Sequence, residues 1–129
     1  MSVILQISDL HFGTERPPVV EALLALAEAL GPDLVVVSGD VTQRARPAEF
    51  AAAAAFVARL PDCPRLLVPG NHDLPLFDPL SRLLCPYRGF RRCFGDGAVA
   101  AGRLPDLLVV GVDSTRRWRH RHGEISPAQ

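Results

Sequence analysis

LVVVSGD, residues 34–40, packs four apolar residues into a run of strand length and then stops at Ser38, Gly39 and Asp40. A continuous apolar run bounded by turn residues is the pattern of a strand buried on both faces, as in a parallel sheet. What flanks it agrees. Upstream, VILQI at 3–7 reads as a strand, and PPVVEALLALAEAL at 17–30 places apolar residues at 19, 20, 23, 24, 27 and 30, a helical stripe. Proline suits the first turn of that helix, and Gly31 suits its C-terminal stop. Downstream, Pro47 opens PAEFAAAAAFVARL, Pro61 ends it, and RLLVP at 65–69 supplies a third strand. Strand, helix, strand, helix, strand predicts an α/β fold with a parallel-rich sheet, flanking helices and right-handed crossovers. Beyond residue 74 the regularity weakens. Asp78 and Pro79 would start a short helix through Leu84, a Gly-containing loop follows, and VAAGRLPDLLVVGVD at 99–113 reads as a hairpin whose stronger strand is LLVVGV.

At 129 residues the length fits one domain, and 48% hydrophobic with 22% charged residues is a globular composition. Fourteen basic and fourteen acidic residues cancel, which argues against a protein built mainly to bind nucleic acid. No run approaches the roughly 18 apolar residues of a membrane span, and no secretory signal is recognisable. Cys63, Cys85 and Cys93 are odd in number and lack CxxC spacing, which suits a reducing compartment. The expected location is the cytoplasm.

In an open parallel sheet, ligands gather beyond the carboxyl ends of the strands. Here the strands run into SDLH (8–11), SGD (38–40) and PGNHD (69–73), so all three polar clusters are expected along one edge. Taken singly, Asp9 reads as a turn residue and His11 as a surface histidine. Together, Asp9, His11, Asp40, Asn71, His72 and Asp73 form a mixed set of oxygen and nitrogen donors, the kind that binds Mn, Fe or Zn. Asp9 and His11 are two apart, and in an extended segment both side chains would point at one ion. Gly39 and Gly70 would let the backbone turn sharply and approach closely.

D-x-H (Asp9, His11), G-D (Gly39, Asp40) and G-N-H-D (Gly70 to Asp73), each after a strand and in this order, resemble the calcineurin-like metallophosphoesterases. The resemblance runs from residue 3 to about 115 and covers the N-terminal half of that family's four-layer α/β/β/α sandwich. It implies a phosphoric ester hydrolase with two divalent ions, the metals activating the attacking water. By position, Asp9 and His11 would hold the first ion, Asp40 would bridge both, and Asn71 would hold the second. His72 would stand beside the phosphate as general acid or charge stabiliser, with Asp73 behind it orienting the ring. The residues VTQRAR after Gly39-Asp40 lack the acidic and Arg-Gly continuation of the protein phosphatases, and the tyrosine ligand of purple acid phosphatases is missing there. Asp113-Ser114 followed by GEIS is similar to bacterial class III cyclic-nucleotide phosphodiesterases. The implied substrate is a small phosphodiester, with cyclic nucleotide first and a nuclease or nucleotide pyrophosphatase activity as the nearest competitors.

The chain departs from the pattern in one respect. The family completes its site with later histidines, including a G-H-x-H, and here the only H-x-H is His120-Arg121-His122, preceded by Arg119. A solvated loop is the favoured reading of it, and metal ligation the alternative. A single, apparently truncated domain over 1–129 is therefore expected, either an enzyme or a catalytically incomplete fragment that binds metal weakly or needs a dimer partner or a missing half. One face of its sheet would be left uncovered. Two basic runs remain, YRGFRR at 87–92 and RRWRHRH at 116–122. Both read first as solvated segments, although the second mixes charge with Trp118 in a way that suits phosphates or single-stranded nucleic acid.

Overall fold

The computed structural model describes residues 1–95, 101–119 and 122–127. Three strands, β1 (Ile4–Ser8), β2 (Leu34–Ser38) and β3 (Arg65–Val68), form a parallel sheet in the order β1-β2-β3. Helix α1 (Pro17–Leu30) joins the first pair, and α2 (Pro47–Ala58) joins the second. The register sets Ser8 opposite Ser38 and Ser38 opposite Val68. The three strands thus end level, and the polar clusters that follow them start from one edge.

Both helix boundaries follow from local chemistry. Gly31 closes α1 in the left-handed conformation at φ 53°, its N–H donating to the Glu28 carbonyl. At the start of α2, Glu49 Oε2 accepts from the amides of Arg44 (2.8 Å) and Arg46 (3.2 Å), satisfying donors that a helix start leaves open. The α1 stripe is narrower than its spacing predicts: Leu24 and Ala27 are buried, while Val19 and Leu30 remain exposed. They lie near the two ends of the helix.

Alternation along the strands divides the core in two. Ile7, Val35 and Val37 face the helices and pack with Leu24, Ala27, Phe50, Ala53 and Phe56. Leu34, Leu66 and Val68 face the other way, against Leu104 and Val109. Those two belong to the predicted hairpin, which comprises β4 (Ala101–Leu104) and β5 (Leu107–Val110), paired antiparallel across a turn at 105–106. Residues 99 and 100 lie outside the described residues. The hairpin forms its own two-stranded sheet and lies across the face that was expected to be uncovered, so that face is partly covered. A Cβ on Gly102 would stand 3.1 Å from Leu34 Cδ1, which is why the hairpin can lie so close there. Leu108 and Val110, on the outer face of the hairpin, stay exposed.

The expected helix after Asp78 is present as α3 (Pro79–Leu84), with Asp78 Oδ1 accepting from the Ser81 amide at 2.9 Å. The loop expected after it is instead a second short helix, α4 (Arg88–Phe94). Phe90 provides the reason: it is buried in the helix-side core, and Gly89 lets the α4 backbone press against the Phe50 ring, where a Cβ would overlap it. Burial of one aromatic orders a segment whose polarity alone suggests a loop. The parallel sheet with helices on one face and a hairpin on the other accords with the N-terminal half of the sandwich described above.

Candidate metal and phosphoester site

The loops after β1 and β2 are laced together beyond the strand ends. His11 N donates to Asp40 O, Phe12 N to Val41 O and Gln43 N to Phe12 O, each at 2.9 Å. This pairing carries Asp9, His11 and Asp40 to a common point. Their ligand atoms lie within 4.8 Å of one another, the spacing of a set able to hold one ion. The sequence had implied that alternation in an extended segment would do this, but the segment is not extended there. All three residues have left-handed backbone, with φ of 55° at Asp9, 47° at His11 and 30° at Asp40. Non-glycine residues adopt that region at a cost, and such strain gathers at functional sites.

The donor set fits a divalent cation. Two carboxylates and an imidazole are suitable ligands for Mn, Fe or Zn. His11 Nδ1 is buried without a hydrogen-bond partner, and His11 Nε2 lies 3.9 Å from Asp40 Oδ2. Asp40 Oδ1 accepts from the His72 amide at 3.0 Å, which fixes the carboxylate.

Asn71, His72 and Asp73 form a single 3-10 turn immediately after β3. Asn71 lines the same cavity as Asp9 and Asp40, a cleft of about 410 Å3 at the strand ends. His72 stands edge-on to His11, with ring centroids 5.0 Å apart. Its Nδ1 lies 2.8 Å from the Gln43 carbonyl, which can only accept a hydrogen bond, so Nδ1 carries the hydrogen and Nε2 is the nitrogen left to meet a ligand.

Asp73 does not orient that ring. The Gln43 carbonyl does, and the Asp73 carboxylate is spent on the loops: it accepts from the amides of Val41 (3.1 Å), Thr42 (2.7 Å) and Gly70 (2.9 Å) and from Thr42 Oγ1 (2.8 Å). Burial pushes its pKa above the ordinary carboxylate value, and these bonds pull in the opposite direction. Asp73 thereby pins the β2 loop to the β3 loop beside Asp40. Thr42, fully buried, shares this work, and nothing in its local sequence singled it out.

The late histidines divide. His120 lies outside the described residues. His122 borders the cleft and is exposed, with φ 61°, but it is not part of the Asp9–His11–Asp40 cluster. Arg116 and Arg119 line the same cleft, a placement the sequence could only offer as one option.

A fold of this kind, with Asp and His side chains able to hold a metal gathered at the strand ends, is that of a metal-dependent phosphoesterase scaffold. The calcineurin-like phosphoesterase profile matches residues 2–124, and the chain belongs to that family. A glycerophosphodiester phosphodiesterase, GpdQ, of Enterobacter lignolyticus strain SCF1 is 37% identical over 101 residues, covering 67% of this chain and 35% of that protein. A probable cyclic nucleotide phosphodiesterase of a Synechococcus strain is 32% identical over 81 residues, covering 56% of this chain and 31% of its own length. The chain spans about a third of the length of these relatives. Among the described residues, no helix is long and apolar enough to cross a membrane.

Proposed function

We propose that this chain carries the hydrolytic site of a phosphodiesterase that uses two divalent metal ions. The observation that carries the reading is the convergence of Asp9, His11 and Asp40 within 4.8 Å, each on strained backbone. Asp9 and His11 would hold the first ion, Asp40 would serve both, and Asn71 would hold the second. Such ions, when bound, supply Lewis-acid charge to phosphoryl oxygens and activate the attacking water. The chain's own groups do the rest. Asp40 is held by the His72 amide so that its second oxygen faces His11. His72, oriented through Nδ1 by Gln43, presents Nε2 to the phosphate and either delivers a proton to the leaving oxygen or stabilises its charge.

Diester substrates are favoured because both relatives are named for diester hydrolysis, one of glycerophosphodiesters and the other of cyclic nucleotides. Three free cysteines suit a reducing location such as the cytoplasm. A second reading rests on the outer face of the hairpin. Leu108 and Val110 are about half exposed there, so the chain binds metal but turns over only when a further sheet or a second copy covers them.

The test is Mn content and hydrolysis of bis(p-nitrophenyl) phosphate by the 129-residue chain beside Asp40→Ala. About two Mn per chain with Asp40-dependent turnover supports the first reading. Mn binding without turnover supports the second. Turnover retained in Asp40→Ala contradicts the bridging role.

A further inference from the structure

The segment after β5 is a strap whose residues alternate. Gly111, Asp113 and Thr115 are buried, while Val112, Ser114 and Arg116 are more exposed and, with part of Thr115, line the cleft that holds Asp9 and Asp40. Asp113 Oδ1 accepts from Thr115 N (2.8 Å) and Thr115 Oγ1 (2.6 Å), and the Tyr87 hydroxyl lies 2.6 Å from the same Oγ1. Arg116 to Arg119 then form a turn, the Arg119 amide donating to the Arg116 carbonyl at 3.1 Å.

Arg82 ties that turn to the site. Its buried guanidinium donates to the carbonyls of Arg117 (2.9 Å), Arg119 (3.1 Å) and Pro75 (3.2 Å). Pro75 lies just after the turn bearing Asn71 and His72, so one side chain clamps the basic turn to the loop of two site residues.

The guanidinium of Arg116 donates once, from Nη1 to the Thr115 carbonyl at 2.9 Å, and has no carboxylate partner among the described residues. Arg119 has an ion pair with Glu124 at 3.6 Å, both side chains more than half exposed. A floor bearing Asp9 and Asp40 repels an anion by itself. A guanidinium on the wall counters that repulsion and offers paired N–H groups that match two phosphate oxygens.

We infer that Arg116, with Arg119 beside it, binds the non-bridging oxygens of the substrate phosphoryl group and positions it over the Asp9–His11–Asp40 cluster. The inference rests on the phosphoesterase reading of the site. It gives Arg116 and Arg119 of that basic run a function inside the cleft, in place of the solvated segment that the sequence favours.

The probe is inorganic phosphate, titrated by calorimetry into the 129-residue chain with and without saturating Mn, using the wild type, Arg116→Gln, Arg116→Lys and the Arg116→Gln/Arg119→Gln double variant. Phosphate affinity should fall roughly tenfold in Arg116→Gln and further in the double variant, with partial recovery in Arg116→Lys, as loss of a charge-assisted bond requires. Mn affinity should not change. An unchanged phosphate affinity in a double variant that keeps its far-UV circular dichroism overturns the inference, as does a wild type that binds no phosphate in either condition. If Arg116→Gln unfolds, Arg116→Lys decides alone: affinity equal to wild type overturns the inference, because a point charge then suffices where a fork is required. Failure of the metal reading is separately visible, as absent Mn binding with Arg116-dependent phosphate binding retained.

Discussion

A Cβ on Gly70 would overlap both the backbone nitrogen and Oδ1 of Asp40. Gly70 has φ −104°, which any residue can adopt, so space is what demands glycine here. The β3 loop lies directly on the Asp40 carboxylate. Gly70→Ala should therefore push the two loops apart, costing about 3 kcal/mol, the upper range for overpacking a tight contact. Urea denaturation would measure the loss, and Mn titration should show weakened binding in whatever remains folded.

Asp40→Asn separates the metal role from the structural one. An amide oxygen still accepts from the His72 N–H, so the melting temperature should change little. Mn affinity should fall by at least the roughly hundredfold that loss of an outer partner of a ligand can cost. A variant with native Mn affinity would remove Asp40 from the ligand set.

Asp73→Ala should be among the most destabilising changes outside the apolar core. It leaves three buried amides without their acceptor, and the Thr42 hydroxyl with only the His72 carbonyl at 3.4 Å, at a cost of about 3–5 kcal/mol. Hydrogen exchange provides the specific readout: the amides of Val41, Thr42 and Gly70 should lose protection before the strands do. Equal loss across the sheet would mean that Asp73 does not hold the loops locally.

Arg82→Met keeps much of the stem and removes the donors, leaving the carbonyls of Pro75, Arg117 and Arg119 unsatisfied. A loss of about 2–3 kcal/mol is expected, in line with bonds to a charged group. Loosening should be confined to the strap, read as faster exchange of the Arg119 and Glu124 amides, which bond to Arg116 and Ser114.

Leu34→Ala tests whether the hairpin covers the sheet in solution. Leu34 is 1% exposed and packs against Gly102 and its neighbours, so its removal should cost about 3 kcal/mol with some collapse of the hairpin onto the gap. A loss below 1 kcal/mol, measured by thermal unfolding, would mean that the hairpin is not seated there.

The chain's alternating pattern was enough to determine the parallel sheet, its two crossover helices and the edge on which Asp9, Asp40 and Asn71 meet. Apolar period and proline or glycine boundaries are local properties, and a parallel register that ends three strands level turns them into a shared edge. The ordered motifs Asp9-x-His11, Gly39-Asp40 and Gly70-Asn71-His72-Asp73 likewise pointed to the family that residues 2–124 match.

What was not legible depends on contacts between residues distant in the chain. The left-handed backbone at His11 and Asp40 is costly in isolation and persists where the inter-loop hydrogen bond between them holds it, with Asp9 beside them in the same conformation. The same holds for Asp73 as a clasp rather than an orienting partner, for the α4 helix ordered by Phe90, and for the strap that turns Arg116 into the cleft. The sequence by itself determined which residues reach the edge of the sheet. Only the tertiary structure decided how they face one another, because packing and long-range hydrogen bonds, not local propensity, select strained backbone and the partners of buried polar groups.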